Sequence, residues 1–504
     1  MSVVPFTGQS FKHRSRDVSS QYTLNMYPEI VEDNEAKSQY ILVSTPGTRR
    51  LYDVPSNGNA RGLYRASNGQ VFGCWGSEVY QLTLSGATLI SSISLSSGTP
   101  ISFADDGLSL VVCDGVRVYR YAFNSGPWSS VSLPFASEFI SRRVHAFDKR
   151  ILLSGESTGV NPAVRDVQWY HSDLLDASSW SPLYQYTAEA QLDKISGFAT
   201  TSQGLLVIGT SSVEMWVPTN LRDNPFQRTG YATDTAGTES PRTIVVADDV
   251  VYYVGNAKFG GAGIYAIKSG THAERISTQA IEHELAQAAL RDNVTITDAV
   301  GWTYEQEGHR FIVFTFPSAD ITLVYDASTD LWHHRGSRDP RVDIIRAWSP
   351  IYAAQLGDQI LTSYSRGPQV LVLDTSIHTE FDHEYQDQRL PVTSMRVSPV
   401  YWDDTREVTI KAIRFDIQTG VGTMNDTRGE DPECLVRISK DGYTWSPVQH
   451  TLKLGKAGEY AKGVRLGAVA GRSRVFVIEW KCTEPVPVTI LGCSIETIKD
   501  MRRV

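Results

Sequence analysis

Two histidine-bearing stretches are where this chain could hold a metal ion. Trp332-His333-His334-Arg335 sets two imidazoles side by side, and His378-Thr379-Glu380-Phe381-Asp382-His383-Glu384 mixes imidazole with carboxylate, the donor set of zinc and related divalent ions. Adjacent residues of a strand point to opposite faces, so His333 and His334 are not expected to share an ion. The second stretch reads as a polar loop. Two carboxylate pairs, Asp105-Asp106 and Asp248-Asp249, have the composition of a proton-sharing dyad. Both fall where turns are expected, and sequence neighbours rarely share a proton, so both read as solvated turns.

Other catalytic signatures are missing from the chain. Phosphate loops of the GxxxxGK[ST] or GxGxxG type opening a helix are missing, and no GxSxG elbow occurs. Lys258-Phe259-Gly260-Gly261-Ala262-Gly263 is rich in glycine but leads into a strand, which makes it a turn. Ser439-Lys440-Asp441-Gly442-Tyr443-Thr444-Trp445 resembles the Asp-box turn of sialidase-like propellers, one residue short between Asp and Gly. Such boxes are structural hairpin turns. The residues therefore nominate no catalytic, cofactor-binding or metal-ligating position, and no cofactor is expected.

What the residues do specify is a repeated strand–turn–strand unit. Its clearest copy is Gly204-Leu205-Leu206-Val207-Ile208-Gly209-Thr210-Ser211-Ser212-Val213-Glu214-Met215-Trp216, an apolar run, a turn and a short strand with a bulky anchor. Comparable anchors fall at Tyr80, Tyr119, Tyr170, Tyr265, Tyr325 and Leu373. With Trp216 in place the gaps are 39, 51, 46, 49, 60 and 48 residues. Spacing of roughly 45 is what one four-stranded propeller blade consumes. An all-β propeller of six or seven blades is expected over residues 56–392. Cys113-Asp114-Gly115 and Asp248-Asp249 supply hairpin cues inside it. One segment breaks the rule: Ser277–Leu290 carries apolar residues at 281, 285, 288 and 289, with Ser277 or Thr278 as its cap, and reads as a helix.

Flanking segments have a different texture. Residues 1–55 are polar and irregular, and are expected to form an extended arm that lies on the chain's own body or on a neighbour and makes assembly contacts. After about residue 393 longer alternating strands appear, among them Val408–Phe415 and Arg474–Trp480, and a β-sandwich over 393–504 is expected. The chain has 504 residues, 41% hydrophobic and 20% charged, which excludes wholesale disorder. A formal charge of -9 excludes a globally basic nucleic-acid coat. Five cysteines, at 74, 113, 434, 482 and 493, form no CxxC pair and read as reduced, buried thiols. Met1-Ser2-Val3-Val4-Pro5-Phe6 lacks a signal-peptide core, and no apolar run approaches the ~20 residues that cross a bilayer. The expectation is a soluble chain made and kept in the cytosol until assembled or released, with no membrane insertion.

Residues 204–285 carry a resemblance. After Gly204–Trp216 come Asn224-Pro225-Phe226-Gln227-Arg228, Gly237-Thr238-Glu239-Ser240-Pro241, Val251–Gly255, Gly263-Ile264-Tyr265 and Arg275-Ile276-Ser277-Thr278-Gln279-Ala280-Ile281-Glu282. That ordered series resembles the packaged-DNA stabilisation, or tail accessory (tail nozzle), proteins of short-tailed bacteriophages. Asn25-Met26-Tyr27-Pro28-Glu29 and Thr45-Pro46-Gly47 fit the family's opening, as do Ser439–Trp445, Leu454–Tyr460 and Gly471–Arg474 late in the chain. The resemblance implies a structural virion protein of the tail, a homo-hexameric ring beneath the portal and adaptor rings. It also implies contacts with tail fibre, spike or needle proteins, and double-stranded DNA passing non-specifically through the lumen. Retention of packaged DNA until ejection is the implied role, with no enzymatic activity. Two other readings are a sialidase-like propeller glycosidase, which needs an arginine cluster and a carboxylate pair converging at the propeller mouth, and a cytosolic propeller scaffold.

Overall fold

A computed structural model of the chain describes residues 2–499, apart from 33–37, 97, 125, 159–165, 222–223, 233–235, 258–259, 293–295, 383–388, 403–406, 425–427 and 468–471. Short apolar runs broken by tight turns build antiparallel four-stranded sheets. The first consists of Ala60–Arg65, Val71–Trp75, Glu78–Leu82 and Ala87–Leu89. Equivalent sheets follow over 102–130, 139–187, 195–232 and 245–275. A further four-stranded unit, 300–339, is continuous with a larger sheet. The last blade takes three strands from Pro350–Leu356, Gln359–Tyr364 and Gln369–Asp374 and its fourth, Gly47–Asp53, from the other end of the chain. Six sheets are thus self-contained and a seventh four-stranded unit is fused to its surroundings. We number these units blades 1 to 7 in chain order of their first strands. From blade 2 to blade 7, and from blade 7 back to blade 1, the first strands of neighbouring blades contact one another.

Turn chemistry explains the hairpins. Asp248 and Asp249 both take positive φ, 49° and 66°, the conformation that a two-residue primed turn requires and that Asp tolerates. Asp148 and Lys149 repeat it at 49° and 58° in blade 3. Each seam between blades has its own apolar cluster. Phe72 and Leu110 pack between blades 1 and 2, Val111 and Ile151 between 2 and 3, and Trp169 and Trp216 between 3 and 4. Leu206 and Tyr253 fill the next seam, Val254 and Phe314 the one after, Phe311 and Trp348 the sixth, and Val370 and Trp75 the closing one. The helix, Gln279–Asp292, docks at the seam of blades 5 and 6, with Ile281 and Leu285 at 2% and 1% exposure. Thr278 Oγ1 accepts from Ile281 N at its first turn, and Ser277 Oγ donates to Glu282.

The first 55 residues lie on the chain's own body and are woven into its sheets. Ser2–Val4 pairs with the last strand, Thr489–Lys499. Ser20–Leu24 lies between Leu331–Asp339 of blade 6 and Ser394–Val397, joining propeller and sandwich into one twelve-stranded sheet. Met26–Ile30 and Tyr40–Ser44 extend the second sheet of the sandwich, which holds Val408–Ile417, Val464–Gly467 and Thr489–Lys499. The two sheets close over Ile413, Phe415, Val436, Ile478, Trp480 and Ile490, with Val4, Phe6, Met26 and Leu42 inserted from the N-terminal segment. The polarity of residues 1–55 hid this because their apolar anchors are few and their pairing partners lie hundreds of residues away.

All five cysteines are free and buried, and burial pushes the Cys74, Cys113, Cys434, Cys482 and Cys493 thiols up to about 12. Among the described residues no helix is long and apolar enough to cross a membrane.

Deletion of residues 1–53 removes the closing strand and the four side chains, Val4, Phe6, Met26 and Leu42, that are inserted into the sandwich core. The truncated chain is expected to lose its cooperative thermal unfolding transition and to aggregate, as followed by circular dichroism and light scattering. A cooperative melt within a few degrees of the full chain would show that closure is dispensable.

Candidate functional site at the propeller mouth and the woven junction

Four arginines lie at or just before the first strands of blades 1, 3 and 5, on the side of the propeller where those strands begin. In blade 1 the register steps from Ala60–Trp75 to Gly62–Cys74, so Arg61 stands at a bulge. Blade 3 repeats the step between Ser141–Gly155 and Arg143–Ser154, with Arg142 as the extra residue. Blades 4 and 7 do the same at Ser196 and Ile351. A bulge re-aims the side chains that flank it. Arg61 Nη1 donates to Gly76 O at 2.6 Å and Nε to Thr99 O at 3.2 Å, tying blade 1 to the entry of blade 2. Arg142 Nη1 donates to Gly115 O and Nη2 to Glu156, both at 2.7 Å. Arg242, in the 3-10 turn Pro241–Thr243 that leads into blade 5, donates to Asp298 O at 2.5 Å. Burial pushes the Tyr352 phenol of blade 7 above its ordinary value, and the positive charge of Arg242 opposes the shift.

Arg143 differs from these. Among the described residues it has no hydrogen bond or ion pair, and burial together with the neighbouring Arg242 pushes its guanidinium down to about 10. The Gly197 backbone of blade 4 faces its stem, where an added Cβ would lie 3.9 Å from Arg143 Cδ. Of the nearby carboxylates, Asp298 keeps its Oδ1 without a partner among the described residues, while three others are engaged. Asp114 is fully buried and accepts from the N–H groups of Ser96, Val116 and Arg117; burial opposes its ionisation, but these bonds hold it below the usual carboxylate range. Asp193 accepts from Ser211 N and Ser212 N, and Glu156 pairs with both Arg142 and Lys194.

The second constellation fastens the N-terminal segment. Arg396 is fully buried, and its guanidinium donates to Phe6 O at 2.7 Å, Gln9 O at 3.1 Å, Thr23 Oγ1 at 2.6 Å and Gln21 Oε1 at 2.7 Å. Burial lowers its pKa to about 9. Asn25, held at φ 53°, donates to Gly336 O and Thr393 O and accepts from Gly336 N. Arg335 lies 3.7 Å over the Trp348 ring and donates to Pro46 O at 3.0 Å.

The residues singled out in the sequence fall into structural roles. His333 and His334 are both buried and diverge. His334 bonds Ser10 Oγ and Glu284, each at 2.9 Å, whereas neither ring nitrogen of His333 has a partner among the described residues. Burial holds His333 well below the ordinary imidazole value, with Arg335, His334 and His309 adding to the effect. His378 is half-buried, and Glu380 accepts from Trp348 Nε1 at 3.0 Å; His383 and Glu384 lie outside the described residues. No group of three potential metal ligands forms among the described residues.

The reading of Asp105-Asp106 as a solvated turn is overturned. Asp105 accepts from Tyr64 Oη and Ser67 N, and Asp106 accepts from Leu108 N, Ser109 N and Ala177 N, which draws both below 8% exposure. Asp248-Asp249 is the exposed turn expected, with Asp249 accepting from Ser202 N. In the Asp-box-like stretch, Asp441 accepts from Tyr443 N and Thr444 N and organises its own turn. Of Lys258–Gly263, residues 258 and 259 lie outside the described residues, and Gly260 onward forms a strand. Sequence reasoning missed Arg61, Arg142, Arg143, Arg242 and Arg396; only their recurrence near the starts of inner strands could have signalled the first four.

A protein-family comparison matches residues 2–377 to the phage stabilisation family described as "Bacteriophage P22 Gp10, beta-propeller". No curated protein matches the chain. Similar solved structures include a streptogramin B lyase (11% identity, TM-score 0.41, 66% of this chain and 98% of that one). The N-terminal domain of Nup159 follows at 10% identity and TM-score 0.39, covering 70% of this chain and 99% of that one. YCF48 bound to D1 peptide shares 11% identity at TM-score 0.39, over 66% and 100% of the two chains.

Two substitutions test this geometry. Arg396→Ala strands two carbonyls and two side-chain acceptors, and urea unfolding is expected to show a loss of about 3–5 kcal/mol, by analogy with breaking a buried charged contact; a loss under about 1 kcal/mol would contradict the fastening role. His333 is neutral in the fold, while the unfolded chain takes up a proton near pH ~6.5. Its contribution is therefore intact above that pH and is lost as pH falls below it. His333→Phe should shrink the drop in melting temperature between about pH 7.5 and pH 5 relative to the parent chain; an unchanged drop would rule this residue out as a source of acid sensitivity.

Proposed function

The chain belongs to the phage stabilisation family of Bacteriophage P22 Gp10, a family of phage structural proteins, and from this premise we propose that it is a tail accessory subunit that extends the DNA channel and retains packaged DNA. The family match over residues 2–377 is the observation that carries the reading. In this proposal six copies form a ring in the virion tail, below the portal and adaptor, and bind fibre, spike or needle proteins on the far side. A propeller is a wedge, and wedges repeated about a cyclic axis enclose a lumen. A net charge of -9 suits a channel that must not hold DNA by its phosphates.

A non-enzymatic role is part of the proposal. A glycosidase would need free carboxylates beside its arginines, and at the mouth Asp114, Asp193 and Glu156 are each occupied by turn N–H groups or by cations.

Particles assembled without this protein should package DNA and then lose it. They should be empty or nuclease-sensitive by electron microscopy and DNA-protection assay, and purified protein added during assembly should restore filled heads. Stable, DNA-filled, tail-defective particles would argue against retention, and fully infectious ones against any virion role.

A further inference from the structure

We propose that the crevice where the N-terminal segment, the helix and the sandwich meet binds a neutral saccharide unit. A cavity of about 250 Å³ opens there. Its lining includes Lys12 and Arg16 of the N-terminal loop, Tyr22 of the bridging strand Ser20–Leu24, Glu284 of the helix, and Trp445 and Glu479 of the sandwich. Ligand pockets usually begin at roughly 300 Å³, so this one has room for a ring or two rather than a long chain. The inference is independent of the retention role and stands or falls without it.

Charges of both signs line this cavity, and that selects the ligand. An anion would meet Glu284 and Glu479, and a cation would meet Lys12 and Arg16, so a net charge of either sign is opposed. Hydroxyl groups face no such conflict, because each one donates and accepts. The unused valences match them. Glu284 spends Oε2 on His334 Nε2 at 2.9 Å, and its other oxygen has no partner among the described residues. Tyr22 Oη, Lys12 Nζ and Trp445 Nε1 likewise have no hydrogen bond among the described residues. Trp445, Met395 and Val397 supply an apolar wall for the C–H face of a sugar ring. That wall is fixed in advance: Asp441 accepts from Tyr443 N and Thr444 N, Ser439 and Trp445 form a β-bridge, and Arg437 lies 5.0 Å over the indole. Arg16 Nη1 donates to Tyr443 O at 3.3 Å and ties the N-terminal loop to the same turn. Little ordering is therefore left to be done on binding. Each carboxylate is already bonded, Glu284 to His334 and Glu479 to Arg437, which suits accepting from hydroxyls rather than supplying protons. The Asp-box-like turn thereby acquires a role that the propeller does not give it.

The test is saturation-transfer NMR on the full chain with glucose, galactose, mannose, rhamnose and N-acetylglucosamine. Acetate, methylammonium and glycine serve as anionic, cationic and zwitterionic competitors. The parent chain should transfer saturation to at least one sugar in a titratable manner, and no competitor should displace it. Trp445→Ala should abolish the transfer. Tyr22→Phe, which keeps the packing and removes one hydroxyl, should weaken the apparent affinity by about tenfold, and it decides alone should Trp445→Ala melt well below the parent. The proposal fails if no sugar receives saturation, if Tyr22→Phe binds as tightly as the parent, or if a folded Trp445→Ala retains the transfer. Displacement of the sugar by any of the three charged probes would also overturn it, since the cavity would then select for charge.

Discussion

Pairing of Gly47–Asp53 with Gln369–Asp374 is the constraint on which the remaining structure depends. A ring of blades made from one continuous stretch would end in two open edges, each with unpaired N–H and C=O groups and an uncovered seam. Here the last blade is completed by a strand from the opposite end of the chain, in a register that sets Asp53 against Gln369. Closing a loop of that length costs roughly 5 kcal/mol of chain entropy, an expense met once and recovered over the seam of Val370, Leu361, Val71 and Trp75. Closure also fixes the path of everything upstream. With residue 47 pinned at the rim, Met26–Ile30 and Tyr40–Ser44 are delivered to the sandwich and Ser20–Leu24 to the gap beside blade 6.

Buried polar groups give that path its uniqueness. Apolar residues alone would allow the N-terminal segment to slide, because a strand's apolar face tolerates a shift of two residues. Arg396 removes this freedom by bonding two carbonyls and two side chains of the segment at once. Asn25 adds a second pin through its amide and its left-handed backbone, which few other residue types would accept. A satisfied buried network of this kind gives little net stability over an apolar core but is severely penalised if any partner moves.

What could be read from the sequence follows the range of the interactions. All seven anchors, Tyr80, Tyr119, Tyr170, Trp216, Tyr265, Tyr325 and Leu373, lie in the third strand of successive blades. Their spacing was legible because each blade is a local hairpin repeat. The helix at Gln279–Asp292 was legible for the same reason, since its apolar positions and cap are neighbours in sequence. The weave of residues 1–53 was not, because nothing local in Thr48-Arg49-Arg50-Leu51 names a partner at Val370–Leu373. Asp105 and Asp106 misled for a related reason: a turn carboxylate looks solvated until a distant N–H, here Ala177, comes to it. The arginines of the mouth form no linear motif, and only the three-dimensional ring of inner-strand starts brings them together.

This architecture bears on how a subunit would carry load in the proposed ring. The twelve-stranded sheet runs without a break from blade 6, through Ser20–Leu24, into Ser394–Val397 and Val475–Cys482 of the sandwich. Force entering the sandwich therefore reaches the propeller through backbone ladders rather than across a linker. Antiparallel strands resist shear along their length because several hydrogen bonds must break together, and the Arg396 and Asn25 pins sit on both sides of that bridging strand. A polypeptide that had to withstand the outward pressure of packaged DNA would gain from such a junction, whereas two domains on a flexible tether would not. The seams are tied in the same way, since Arg61, Arg142 and Arg242 each reach a backbone carbonyl and so add polar pins to the apolar clusters between blades.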